Sequence, residues 1–191
     1  MRDWFSDGAA FDLGELAPGG LAGGRFLGSF HNQKFYALRA DGGGLRFPFS
    51  PCPFVALVDL ARPADEAMLR NCSGDLIRHG CVQALCRGEE SGRLVGIFEE
   101  LAEAGKLAGG GEEKVSFTAM SMEDEPREEA VEYFSLPCGL AEVKLLLIIG
   151  DEGEFQAARE TFFRTMGDSG NELAGEAAEE IPAGAALAGL V

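Results

Sequence analysis

The stretch SMEDEPREEAVEYF, Ser121 to Phe134, places six carboxylates in fourteen residues around a single proline. Acids at this density suit two kinds of chemistry. Converging carboxylates hold a hard cation such as Mg²⁺, which takes one or two of them together with water and phosphate oxygens. Carboxylates ahead of a helix instead oppose the positive end of its dipole, for roughly 0.3–1 kcal/mol each. The spacing favours the second use. Pro126 suits the first turn of a helix, with Asp124 or Glu125 as its cap or first-turn acid. Glu128, Glu129 and Glu132 then fall on the outer face, opposite Ala130, Val131 and Phe134. Glu123, Asp124 and Glu125 are left where a ligand could meet them.

Other chemistries find fewer residues. A nucleophile needs a base beside it, and the chain has two histidines, His31 and His79. His31 falls in an expected hairpin turn, and His79 closes an expected helix, where a cation is favoured. Cys81 and Cys86 lie five apart in CVQALC, which on a regular strand sends them to opposite faces and prevents a shared metal. Cys86, at a strand end beside Arg87, is the thiol placed for a lowered pKa, although core packing is its first expectation. Thr118 or Ser121 could supply a hydroxyl nucleophile, but no G-x-S-x-G elbow is present. CRGEESGRL offers Arg87 and Arg93 to a phosphate without a G-x-G-x-x-G pattern or a P-loop lysine. No cofactor is expected, and no metal site is assigned.

The elements that must position these residues are legible as a pattern. GRFLGSFHNQKFYALRADGGG reads as a hairpin, with runs Phe26–Phe30 and Phe35–Leu38 about the turn-forming HNQ. From Phe54 onward four apolar runs, FVALVDL, CVQALC, KVSFTAM and VKLLLIIG, alternate with four stretches of helical spacing. In the first of these helices Met68, Leu69, Cys72, Leu76 and Ile77 share a face and Gly80 is placed to end it. Apolar runs without alternation suit strands buried on both faces, hence a parallel sheet covered by helices. The expected fold is α/β: a three-layer α/β/α sandwich, its mostly parallel sheet of about four core strands extended by the N-terminal hairpin. Residues 1–23 read as an irregular arm, 24–167 as one α/β domain and 168–191 as an Ala/Gly/Glu-rich tail.

In open parallel sheets ligands bind beyond the carboxyl ends of the strands. Four loops meet there, Asp59–Asp65, Arg87–Glu90, Ser121–Glu125 and Gly150–Glu154. The candidate rim residues are therefore Asp59, Cys86, Arg87, Ser121, Glu123, Asp124 and Asp151. A phospho-receiver domain shares this topology and an acid closing the first strand. It also needs a paired acid, a phospho-acceptor Asp on the third strand and a late Lys, whereas here the strands end in TAMSM and LLLIIGDE.

Charge narrows the partners. A formal charge of −16 repels phosphate backbones and acidic membrane surfaces, so neither nucleic acid nor membrane is expected as a partner. A basic protein is the expected partner, and a homo-oligomer stays open. The five cysteines are odd in number and widely spaced, and no continuous apolar h-region opens the chain, so a reducing cytoplasm is the expected location.

FVALVDL, LIRHGCVQALCRG, SFTAMSMEDEPREEAVEYF and KLLLIIGD together resemble a family of uncharacterised bacterial α/β domains of unknown function, over roughly residues 54–162. The resemblance implies a fold and no reaction. The Trp-His dipeptide of that family's strand end is replaced here by Met120–Ser121. The function expected is a non-catalytic protein-binding or accessory module. The alternative is a divalent-metal enzyme acting on a phosphoester through Asp59, Glu123, Asp124 and Asp151.

Overall fold

The computed structural model describes residues 24–179, apart from His31, Asp41, Gly43, residues 109–116, Cys138 and Leu140. The expected arm, the turn histidine and the last part of the tail lie outside the described residues. Six strands and four helices follow one another as β1 (Arg25–Phe30), β2 (Gln33–Ala40), β3 (Phe54–Leu60), α1 (Glu66–His79), β4 (Cys81–Arg87), α2 (Ser91–Ala108), β5 (Thr118–Met122), α3 (Arg127–Ser135), β6 (Val143–Ile149) and α4 (Glu152–Glu179). The protein is α/β, and its strands form one mixed sheet in the order β1-β2-β6-β3-β4-β5. β1 and β2 are the antiparallel hairpin, and every other pairing is parallel.

The hairpin is more than an addition at the edge. β2 pairs in parallel with β6 from Lys34↔Val143 to Ala40↔Ile149, so its second strand belongs to the parallel body of the sheet. Its turn passes through Asn32, whose φ of 62° is a left-handed conformation that asparagine tolerates better than most residues. The helix after β6 also differs from expectation, because α4 continues beyond 167 to Glu179, into the segment read as tail.

Local rules account for α1. Asp65 caps it by accepting a hydrogen bond from the Met68 N–H at 2.8 Å. Gly80 ends it in the left-handed region at φ 108°, its N–H turned back to the Ile77 and Leu76 carbonyls. A Cβ at Gly80 would also run into the Cys52 carbonyl oxygen. The face spacing is met, since Leu69, Cys72 and Leu76 are buried.

Two apolar cores lie against the sheet. One combines Leu69, Cys72 and Leu76 of α1 and Leu94, Ile97 and Phe98 of α2 with strand residues such as Ala56, Val58, Leu145 and Leu147. The other combines Ala130, Val131 and Phe134 of α3 and Phe155, Ala158 and Phe162 of α4 with Val55, Leu57, Leu146 and Ile148. All seven residues of β3 are buried, as a central strand requires.

The strand spacing of two cysteines is overturned by a local irregularity. Between Phe54↔Cys81 and Val55↔Gln83 the register of β4 slips by one residue. One extra residue in a strand flips every side chain before it relative to those after it. Cys81 and Cys86 consequently face the same core, the one that holds α1 and α2.

A charged residue is also buried where the pattern promised only apolar ones. Lys144 of β6 is 1% exposed. Its ammonium donates to the Phe134 carbonyl and, at 2.6 Å, to the Leu136 carbonyl, both at the end of α3. There it satisfies carbonyls that the helix itself leaves unpaired, at the negative end of the dipole.

Candidate functional site

The four expected loops do meet at the carboxyl edge of the sheet, but they meet as ion pairs. Asp59 ends β3, between Arg87 on β4 and Ile148 on β6. It is 1% exposed. Arg87 donates from Nη1 to Asp59 Oδ1 at 2.7 Å, and Arg127, in the first turn of α3, from Nε to Oδ2 at 2.6 Å. Both carboxylate oxygens are thereby committed to guanidinium groups. Arg127 extends the network through Nη2 to Glu154 Oε2 at 3.2 Å, and Arg87 through Nε to the Glu125 carbonyl at 3.0 Å.

The network ties four elements together: the ends of β3 and β4 and the starts of α3 and α4. Burial by itself would lower the pKa of Arg127. The charge and hydrogen bond of Asp59, with those of Glu154, outweigh it and hold the guanidinium above its ordinary value. The geometry is thus an ion pair that positions two helix starts against the sheet. Arg127 does not stand out in the sequence as a partner for Asp59, from which it is 68 residues away, nor Glu154 as a partner for Arg127.

Asp151 serves as a cap. Its Oδ1 accepts from the Glu154 N–H at 2.9 Å, and Oδ2 pairs with Arg62. The Glu154 N–H, and then the Arg62 charge, hold its carboxyl below the usual range. This is the dipole-opposing role expected of an acid at a helix start. The neighbouring Glu152 pairs with Arg39 at 3.4 Å.

Cys86 is a correction. It is fully buried beneath α1 and α2, and burial pushes its thiol pKa up, with Cys81 adding to the rise. The Arg87 side chain is spent on Asp59 and does not activate it. Cys81 is pushed up by burial to about 12, and its Sγ donates to the Gln83 carbonyl at 3.2 Å. Both thiols are packing residues.

Ser121 sits at the exposed end of β5, its hydroxyl 2.7 Å from that of Ser91, the buried first residue of α2. The pair joins a strand end to a helix start. His79, the histidine among the described residues, lies at the far end of α1. There it stacks on Phe47 at 3.8 Å between centroids and bonds the Phe49 carbonyl at 2.9 Å. It plays the helix-end role and does not approach Ser121, Cys86 or the rim.

The remaining acids behave differently. Glu123, Asp124 and Glu125 are exposed in the β5–α3 turn, as are Glu129 and Glu132 on the outer face of α3. Pro126 is itself the N-cap of α3, with no side-chain cap, so neither Asp124 nor Glu125 serves as the cap that was expected. The turn is closed instead by the Glu125 N–H donating to the Met122 carbonyl at 3.3 Å. None of the ion pairs formed among the described residues uses Glu123, Asp124, Glu125, Glu129 or Glu132. Glu129 shares a hydrogen bond with Glu125, and that bond, with the charges of Glu125 and Glu132, pushes its carboxyl above the usual range. Carboxylate meets carboxylate along this strip.

No group of three or more His, Cys, Asp or Glu residues among those described is arranged to hold a metal ion. Of the four acids expected for a metal site, Asp59 and Asp151 are taken by arginines and by a backbone N–H. Glu123 and Asp124 lie on the outer side of the turn. Among the described residues no helix is long and apolar enough to cross a membrane. The sequence matches no known protein family and no curated protein.

Proposed function

We propose that the protein is a non-catalytic binding or accessory module whose partner is a basic protein, received at the acidic strip of the β5–α3 turn and the outer face of α3. The observation that carries this reading is the strip of exposed acids Glu123, Asp124, Glu125, Glu129 and Glu132, which no ion pair among the described residues uses. Like charges crowded together cost free energy that an opposing surface recovers. The reading takes the scaffold as a three-layer α/β/α sandwich about roughly four core strands, supported by the separation of α1 and α2 from α3 and α4 into different cores. The free thiols of Cys52, Cys81 and Cys86 support a reducing, cytoplasmic location. The likeness to uncharacterised bacterial α/β domains stays a proposal of kinship and adds no reaction.

The test is binding of a lysine-rich peptide to the full chain and to the triple variant Glu125→Gln/Glu129→Gln/Glu132→Gln, at low and at moderate salt. The reading expects binding that the triple variant weakens and that added salt screens. Equal binding by both proteins would end it.

A further inference from the structure

On the face covered by α3 and α4, the helices leave the β5 end of the sheet open in part. Among the helices α2 packs on β5, and it does so from the side of α1. On the opposite side α3 lies across β3 and β4, and α4 across β2 and β6. β5 ends the strand order, so its outer edge has no strand paired to it among the described residues.

Alternation divides the side chains of β5. Ala119 packs toward the core of α1 and α2, and Ser121 bonds Ser91 of α2. Thr118, Met120 and Met122 therefore share the other face. Met122 is covered there by the α3 core, whereas Met120 is 37% exposed. The flank of α3 that looks toward this gap is fixed by its own contacts. Glu128 reaches Arg164 of α4 at 2.7 Å, so it marks the α4 side. Tyr133, five residues on, is turned by about 140° to the opposite flank, where it is 47% exposed. An unpaired strand edge, an exposed methionine, an exposed tyrosine and the acids of the β5–α3 turn thus border one strip.

We propose that this strip receives an extended segment of the partner, which adds to β5 as a further strand. Its apolar residues would lie on Met120 and Tyr133, and its lysines or arginines would fall at the Glu123–Glu125 end. An exposed edge offers backbone donors and acceptors to such a strand. Charge selects a basic one, because no ion pair among the described residues uses the acids at the strand's end. A second copy of this chain would bring a like net charge of −16 to the edge and be disfavoured. The inference rests on the basic-partner reading and specifies how that partner is held.

The probes are the peptide KKTVTVT, its reversed-polarity form TVTVTKK, and KKTPTPT, which has the same charge but lacks two backbone donors. Binding is followed by fluorescence anisotropy, and deuterium exchange reports the amides of Thr118–Met122. A valine-containing peptide should slow that exchange and bind about tenfold tighter than the proline form, the size expected for lost ladder bonds. Met120→Lys should remove this preference while leaving the fold intact. Equal binding of all three peptides would overturn strand addition and leave the acidic-strip reading standing. Failure of every cationic peptide to bind would end both. Slow exchange, in the free protein, of the β5 amides that point away from β4 would show the edge already paired and overturn the inference. So would a concentration-dependent dimer that Met120→Lys abolishes.

Discussion

Two acidic regions lie close together in this protein and are wired in opposite ways. At the carboxyl edge of the sheet the acids of β3 and of the start of α4 have a cation or an N–H: Asp59 holds Arg87 and Arg127, Glu154 shares Arg127, and Asp151 holds Arg62 and caps α4. A few residues away, in the β5–α3 turn and along α3, Glu129 faces Glu125 and Glu132, which push its carboxyl above the usual range. The residue types are alike, and the supply of guanidinium groups is what differs. Charge at the edge is consumed in positioning helices, whereas charge on the strip enters no ion pair among the described residues. A dense run of acids is thus a poor guide to a site until its partners are known.

The contrast can be broken most severely at Asp59. Asp59→Asn leaves two half-buried arginines facing a neutral amide, and stability should fall by about 3 kcal/mol, with the urea midpoint lowered and the slope unchanged. Arg127→Met keeps Arg87 on Asp59 but frees Glu154, and should cost about 1–2 kcal/mol in the same measurement. On the strip the sign reverses. Glu125→Gln/Glu129→Gln/Glu132→Gln should raise the midpoint, because it removes repulsion and breaks no ion pair.

The pH dependence sharpens the same point. Glu129 has a raised carboxyl in the folded chain, so its contribution is full below the ordinary value of 4.5 and is lost as pH rises through the raised native value. Glu129→Gln should flatten the stability profile across that window, as read from melting temperatures in a pH series. Asp151 works the other way: its lowered carboxyl stabilises above the ordinary 3.8 and loses that contribution as pH falls through the native value. The smallest effect is expected of Arg62→Gln, which removes an exposed pair and should leave the midpoint unmoved within error.

How much of this was legible in the sequence depends on distance along the chain. Asp65 and Gly80, which start and stop α1, act within a turn of themselves, and their types announce their roles. The alternation of strands and helices from Phe54 onward is legible for the same reason. The meeting of loops at the rim followed from topology. What Asp59 does there did not follow, because its second arginine arrives from the start of a helix five elements later. Lys144 was hidden for a related reason: the carbonyls it satisfies belong to α3, and a lysine opening an apolar run looks like a strand's solvated end. The faces of Cys81 and Cys86 were misplaced because one slipped residue near Gln83 defeats a rule of strict alternation. Pattern reads what is local and periodic, and it is blind where a contact is distant or a period is broken.

The position of β6 has a consequence for how the molecule is made. It is the last of the described strands along the chain, yet it lies between β2 and β3, pairing Lys34 with Val143 on one side and Phe54 with Val143 on the other. Until it arrives, the hairpin and the β3-β4-β5 unit are two separate pieces, each with a bare inner margin. During synthesis the nascent protein must carry both margins exposed until residues beyond Ile149 have left the ribosome, and closure over so long a span is slow. A chain stopped before Val143 should therefore be a sticky, aggregation-prone fragment, although it holds five of the six strands.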